Sequence, residues 1–310
     1  MNSRILVSGV SGPIGAALLP ALRAGGSSVV RLVRGAAAVG AQGGARDRAQ
    51  NDAQIAWDPV QPISPESVSG FDAVIHLAGE SIIGRWTAAK KQKIRESRVA
   101  GTSNLAQALA NANVKPRVFI SSSAIGYYGD RGDEILREES AAGAGFLPDV
   151  CREWEKATDA ATKAGIRTVQ IRTGIVLSTV GGALAKMLPP FKLGLGGIVG
   201  SGLQWMSWID VQDMVGAIQH IVKSERLQGP VNLVAPTPVR NAEFTKTLAG
   251  VLSRPAIFPM PAFVVKLVFG EMGETVLLGS QRVEPGQLVA SGYPFQFHDL
   301  QASLKATLGG

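Results

Sequence analysis

Arg4-Ile5-Leu6-Val7-Ser8-Gly9-Val10-Ser11-Gly12-Pro13-Ile14-Gly15 opens the chain and runs on into Ala16-Ala17-Leu18-Leu19-Pro20-Ala21-Leu22. Ile5 to Val7 is a short apolar run that reads as a buried strand. Glycines 9, 12 and 15 then carry the chain through a tight turn into an apolar helix ending near Gly25-Gly26. Such a turn aims free backbone N–H groups and the positive end of a helix at one spot, which suits a pyrophosphate. Gly9 permits the turn, Gly12 lets phosphates approach the backbone, and Gly15 lets the helix pack closely on the strand. With Ser11, Pro13 and Ile14 between them, these residues are read as a dinucleotide site, because a strand precedes the triplet and a helix follows it.

The next strand, Ser28-Val29-Val30-Arg31-Leu32-Val33-Arg34, ends about 20 residues past the turn, where an NAD site places a carboxylate on the ribose 2′-hydroxyl. Here the strand ends in Val33 and Arg34, and no carboxylate follows until Asp47. A carboxylate repels a 2′-phosphate, whereas a guanidinium grips one with paired charge-assisted hydrogen bonds. NADP is the expected cofactor.

A chain of 310 residues with 45% hydrophobic content can bury a substantial core. Its mean hydropathy of +0.15 suits a compact α/β protein. There is no 18-residue apolar run, and Met1-Asn2 leads straight into the first strand, so neither a signal peptide nor a membrane span is read. Cys151 stands alone, and His76, His220 and His298 lack ligand spacing, so a disulfide within the chain is excluded and a metal site is not expected. The expected compartment is the cytosol. A net charge of +7 raises the question of nucleic acid. The densest basic stretch, Lys90 to Arg98, reads as a solvated helix face with no aromatic platform or helix-turn-helix pattern beside it. Neither nucleic acid nor a membrane is expected as a partner, and a polyanionic cofactor accounts for part of the positive field.

Strand and helix signals alternate along the first half. Strands are read at 54–57, 71–79, 117–123 and 167–176, and helices at 88–112 and 147–164. Such alternation implies right-handed crossovers and a doubly wound parallel sheet of the Rossmann kind. Ligands then bind beyond the carboxyl ends of the strands, where Gly9, Arg34, Leu77-Ala78-Gly79 and Ser123 all fall. The Gly35–Asp52 segment, rich in Ala, Gly and Gln, reads as a mobile loop without chemistry.

These motifs resemble an extended short-chain dehydrogenase/reductase of the NAD(P)-dependent epimerase/dehydratase superfamily. The glycine turn, His76-Leu77-Ala78-Gly79 and Ser121-Ser122-Ser123-Ala124-Ile125-Gly126-Tyr127-Tyr128-Gly129 carry the resemblance. More narrowly, Glu96-Ser97-Arg98, Cys151-Arg152-Glu153-Trp154-Glu155, Trp208-Ile209-Asp210 and Leu277-Leu278-Gly279-Ser280-Gln281-Arg282-Val283 resemble the "epimerase family" subgroup with a C-terminal domain of unknown function. That resemblance implies a nucleotide-binding domain over 1–180 and 208–236, with a substrate-side loop and a small, mostly helical C-terminal domain over 181–207 and 237–310.

One departure touches the chemistry. The superfamily follows its serine with Tyr-x-x-x-Lys on the next helix. Ser123 fits the serine, but Cys151 and Glu155 stand near the tyrosine and lysine positions, and no Tyr-x-x-x-Lys occurs anywhere. Three readings stay open. Cys151 or Glu155 takes over acid–base work with Ser123 orienting a carbonyl; Tyr128 is the acid; or the protein binds NADP without turnover. Glu155 is expected to pair with Arg172 or Arg152. The resemblance also makes Arg98 and the Val176 backbone cofactor contacts. Phe191 to Trp208, glycine-rich with three aromatic anchors, reads equally as a lid over a ligand and as a pinned loop without one. The function classes are therefore an NADP-dependent oxidoreductase or epimerase on a small carbonyl, hydroxyl or sugar-nucleotide substrate, and a silent NADP-binding sensor or interaction protein. Monomer and homodimer are both compatible with the sequence.

Overall fold

The computed structural model describes residues 3–35 and 53–309, so the Gly35–Asp52 reading and Asp47 lie, apart from Gly35, outside the described residues. In chain order the first half holds β1 (Arg4–Ser8), α1 (Pro13–Ala24), β2 (Ser28–Arg34), β3 (Ala53–Trp57), β4 (Ala73–His76), α2 (Ala88–Asn111), β5 (Val118–Ala124) and β6 (Ile135–Leu136). Next come α3 (Phe146–Lys156), α4 (Asp159–Lys163), β7 (Arg167–Thr173), β8 (Ile175–Leu177), α5 (Gly182–Lys192), β9 (Trp205–Met206), β10 (Trp208–Asp210), α6 (Val211–Lys223) and β11 (Gly229–Leu233). β12 (Val239–Arg240), α7 (Asn241–Leu252), α8 (Ala262–Phe269), β13 (Arg282–Val283), α9 (Gly286–Ala290) and α10 (Leu300–Leu308) complete the chain.

Seven strands form one sheet in the order β11-β7-β5-β4-β1-β2-β3, every pair parallel. The order reverses between β1 and β4, and that reversal opens the crevice at which a doubly wound sheet binds ligands. Alternate residues serve opposite faces. Ile5 and Val7 join Ile75, Ile120 and Ile171 under Leu18 and Leu22 of α1 and Ile218 of α6. Leu6, Val74 and Phe119 join Leu105 and Leu109 of α2 and Trp57 on the other face. With both faces covered, the strands read as continuous apolar runs.

Local chemistry sets the boundaries. Pro13 starts α1 at its first position, where its missing N–H costs nothing. Thr87 caps α2 by accepting the Lys90 N–H at 3.2 Å, and Asp210 caps α6 by accepting the Gln212 N–H at 2.7 Å. Two expected elements are broken. The helix read over 147–164 is two helices, with Ala157 and Thr158 in the turn between them. The strand read over 167–176 divides at Gly174, where a Cβ would lie 2.6 Å from the Ser207 carbonyl. β8 then leaves the main sheet to pair with β10.

The segment 181–207, read as a loop, begins with a helix. Leu184, Leu188 and Phe191 of α5 are buried at a four-then-three spacing against Trp208, Phe244 and Leu304, and this apolar stripe holds the helix despite Pro189 and Pro190. Two of the three aromatic anchors of this segment are therefore core. Phe191 is buried in that cluster, and Trp208 is fully buried with its indole N–H donating to the Thr237 carbonyl at 2.9 Å. The C-terminal helices also reach the first half: Phe269 and Met272 pack with Trp86, Ile94 and Phe146.

Candidate functional site

The glycine turn closes at the sheet's switch point. Gly9 has φ +72°, and a Cβ there would lie 2.4 Å from the Leu77 carbonyl carbon, so the turn packs directly on the backbone leaving β4. A Cβ on Gly15 would sit 2.6 Å from Val10 Cα. Gly15 thus lets α1 approach the turn itself, rather than the strand as expected. Gly12 differs from both. A Cβ there would meet only the Gly9 carbonyl oxygen, at an ordinary contact distance of 3.6 Å, so this position has room in front of it. No side chain caps α1. Two positions that exclude a side chain and one with room before it form a cradle that fits a pyrophosphate.

Around this cradle the strand ends bring together most of the expected residues. Val33 is half-buried and Arg34 exposed at the end of β2. Leu77, Ala78 and Gly79 follow β4, with Arg98 of α2 against them: its guanidinium carbon lies 3.4 Å from where a Gly79 Cβ would be. The same guanidinium stands 4.9 Å over the Trp154 ring, and among the described residues its one hydrogen bond is to the Ile94 carbonyl at 3.1 Å. Burial pulls Arg98 below the usual guanidinium range, with the Glu80 charge acting against it. Gly182 brings the Val176 backbone near the turn: a Cβ on it would lie 4.0 Å from the Val176 carbonyl oxygen and 3.8 Å from Pro13. Ser11 is exposed on the turn, with Pro13 and Ile14 half-buried beside it.

Sequence reading missed Glu80. Its backbone N–H donates to Ser97 Oγ at 3.0 Å, and its carboxylate pairs with Lys90 at 2.7 Å. That hydrogen bond to Lys90 holds the carboxyl below its usual range, with smaller help from the charges of Arg34 and Lys93. A carboxylate therefore does enter the Arg34 neighbourhood, from β4 rather than β2, and it arrives paired with a lysine.

β5 and α3 carry Ser123 and Glu155, two of the residues expected to do acid–base work. Ser123 Oγ donates to Glu155 Oε1 at 2.7 Å. Glu155 pairs with Arg172, not Arg152, through Nε at 2.8 Å and Nη2 at 2.9 Å; Arg152 bonds Asp149 instead. Arg172 also donates to the Tyr128 hydroxyl and the Glu138 carbonyl, each at 3.0 Å, and lies 3.5 Å over the Tyr127 ring. Burial opposes the Arg172 charge, but the Glu155 hydrogen bonds and charge outweigh it and hold the guanidinium above its usual range. This fork geometry is the strongest form of ion pair.

The other two candidates sit in the interior. Tyr128 is fully buried, donates its hydroxyl proton to Asn232 Oδ1 at 2.7 Å, and is pushed by burial to about 12. Cys151 is buried, and burial reinforced by the Glu155 charge pushes its thiol to about 12, so it stays a thiol at neutral pH. Tyr127, beside Tyr128, is only half-buried. Among the described residues no group of three or more His, Cys, Asp or Glu could hold a metal ion, and no helix is long and apolar enough to cross a membrane.

A seven-stranded parallel sheet with a glycine cradle at its switch point defines a Rossmann-type protein. Comparison with known proteins narrows the class. Residues 5–150 match the NAD dependent epimerase/dehydratase family, and residues 260–307 match a domain of unknown function, DUF1731. An epimerase family protein of Mycobacterium bovis is 42% identical over 299 residues, covering 96% of this chain and 94% of that one. The crystal structure of human epimerase family protein SDR39U1 (isoform 2) with NADPH has a TM-score of 0.85 at 32% identity, covering 99% of each chain. A nucleoside-diphosphate sugar epimerase from Corynebacterium glutamicum has a TM-score of 0.78 at 35% identity, over 100% of this chain and 59% of its own. The chain belongs to the NAD-dependent epimerase/dehydratase family, in the branch that carries DUF1731 at its C-terminal end.

Proposed function

We propose that this protein binds NADP in the crevice between β1 and β4 and uses it in an oxidoreductase or epimerase reaction whose proton moves through Ser123 and Glu155. The observation that carries the reading is the 2.7 Å hydrogen bond from Ser123 to Glu155, at the place where the superfamily's acid–base pair would stand. Gly9, Ser11, Gly12, Pro13, Ile14 and Gly15 cradle the pyrophosphate. Val33 and Arg34 take the adenosine ribose and its 2′-phosphate, while Leu77, Ala78, Gly79, Arg98 and the Val176 backbone line the path to the nicotinamide. The human relative's NADPH supports the choice of cofactor. When bound, NADP supplies or accepts the hydride.

The chain's own residues move the proton. Ser123 accepts a proton from a substrate hydroxyl as it gives its own to Glu155 Oε1; in reverse, it returns one to a substrate carbonyl oxygen. Arg172 orients the carboxylate by holding both its oxygens. Tyr128 and Cys151, buried and protonated, stay outside this path. The substrate side is assigned to 181–207 and 237–310, and the Corynebacterium relative favours a sugar nucleotide. A silent NADP-binding role is the second reading, favoured by the two-point clamp that Arg172 keeps on Glu155.

The test follows NADPH absorbance with a panel of carbonyl compounds and sugar nucleotides. Ser123→Ala and Glu155→Gln should each abolish turnover while leaving NADPH affinity unchanged. Turnover that survives both substitutions refutes the relay; NADPH bound with no turnover on any substrate supports the silent role.

A further inference from the structure

Two adjoining stretches within the segments assigned to the substrate side carry exposed apolar side chains. Residues 193–199 run beside 255–260: the Phe258 N–H donates to the Gly196 carbonyl at 3.1 Å and the Met260 N–H to the Ile198 carbonyl at 2.8 Å. Leu193 and Leu195 on the first segment, Ile257 and Phe258 on the second, and Phe263 and Leu267 on α8 are all exposed. Four of them keep more than two-thirds of their surface in solvent, with Leu193 74%, Ile257 71%, Phe263 71% and Leu267 72% exposed. Phe263 and Leu267 stand one turn apart, so they form a single stripe, while the buried Val265 anchors the helix. Scattered exposed hydrophobes are ordinary, but six on adjoining segments mark an interaction surface. Pro255, Pro259 and Pro261 remove backbone donors along its edge, which disfavours recruitment of a β-strand.

Charge decides what the surface meets. Residues 183–209 and 244–270, which contain it, carry Lys186, Lys192, Lys246, Arg254 and Lys266 and not one Asp or Glu. Lys192 and Arg254 are exposed and flank the spot where a Gly194 Cβ would lie 3.3 Å from Pro255. Among the described residues neither finds a carboxylate partner, whereas Lys266 reaches Glu274 at 2.7 Å. A second copy docked face to face would bring like charges together. An apolar ridge edged by uncompensated cations instead complements the boundary between headgroups and acyl chains of an anionic bilayer, which needs no spanning helix. We propose that residues 193–199, 255–260 and α8 seat the protein on an anionic phospholipid surface. Phe258, Phe263 and Leu267 enter the acyl boundary, and Lys192 and Arg254 meet phosphate headgroups.

The experiment sediments the full chain with vesicles of phosphatidylcholine alone, or with roughly one-third phosphatidylglycerol. Binding is expected on the anionic vesicles only, and about tenfold weaker in high salt. The double variants Phe263→Asp/Leu267→Asp and Lys192→Glu/Arg254→Glu should each weaken binding about tenfold or more, with melting unchanged because all four side chains are exposed. Failure of the wild type to sediment, equal binding to neutral vesicles, or full binding by either variant overturns the proposal. So does a concentration-dependent dimer in analytical ultracentrifugation that Phe263→Asp/Leu267→Asp abolishes, because the surface then belongs to a second copy.

Discussion

His76 ties the stability of the crevice to pH. It ends β4, directly before the Leu77 backbone on which Gly9 packs, and it is completely buried. Its Nδ1 shares a 2.6 Å hydrogen bond with Ser8 Oγ, its Nε2 has no hydrogen-bond partner among the described residues, and the Trp57 ring packs edge-on at 5.7 Å. Nothing there compensates a positive charge, and burial lowers the imidazole from 6.5 to about 4. Because the folded value is depressed, the unfolded chain takes up a proton that the folded chain refuses as pH falls from 6.5 towards 4. The neutral histidine's full contribution is thus present above that window and lost through it. Between pH 7 and pH 5 the loss is about 2 kcal/mol, approaching about 3 kcal/mol below pH 4.

Urea unfolding at both pH values, on the wild type and on His76→Asn, measures this loss. Asn retains a polar group for Ser8 but does not titrate. Its stability is lower throughout from lost packing, yet it should fall by about 2 kcal/mol less than the wild type between the two pH values. Glu138 and Asp210, whose carboxyls burial raises, act in the opposite sense, since the folded state then holds protons more readily as pH falls. They do so in both proteins and cancel from the difference. Parallel pH dependences for wild type and variant would show that His76 is not held neutral by its surroundings.

Two further substitutions separate roles within one motif. Gly9→Ala forces a Cβ into the Leu77 backbone at a left-handed φ and should cost about 3 kcal/mol or more in unfolding measurements, whereas Gly12→Val has room and should lose cofactor affinity with little change in melting. Cys151, held as a buried thiol, should resist iodoacetamide in the folded protein at pH 8 and react fully once unfolded; rapid native labelling would show a thiolate within reach of solvent.

What the sequence made legible was local. Strand, glycine turn and Pro13-led helix lie within a few residues of one another, and the 2-to-3.6 change of period shows where each strand hands over to a helix. α5 escaped notice because Pro189 and Pro190 argue against a helix, while the burial of Leu184, Leu188 and Phe191 that favours one depends on partners as distant as Leu304. The break at Gly174 likewise comes from the Ser207 carbonyl, which only the folded chain brings near. At the site, the strand ends could be read, but the side-chain pairing could not. Glu155 had two arginines to choose from, and the choice fell to Arg172 because β7 lies beside β5 and faces α3. Arg98 stacks on Trp154 and Glu80 approaches Arg34 through contacts between elements that no spacing rule encodes.

The most direct test of the account is calorimetric titration of cofactor-stripped protein with NADPH and NADH, for the wild type and Arg34→Ala. The account predicts much tighter binding of NADPH by the wild type, with Arg34→Ala losing about tenfold or more of that affinity and little of its affinity for NADH. Equal binding of the two cofactors, or equal losses in the variant, would contradict the 2′-phosphate role of Arg34, and failure to bind either would contradict the crevice itself.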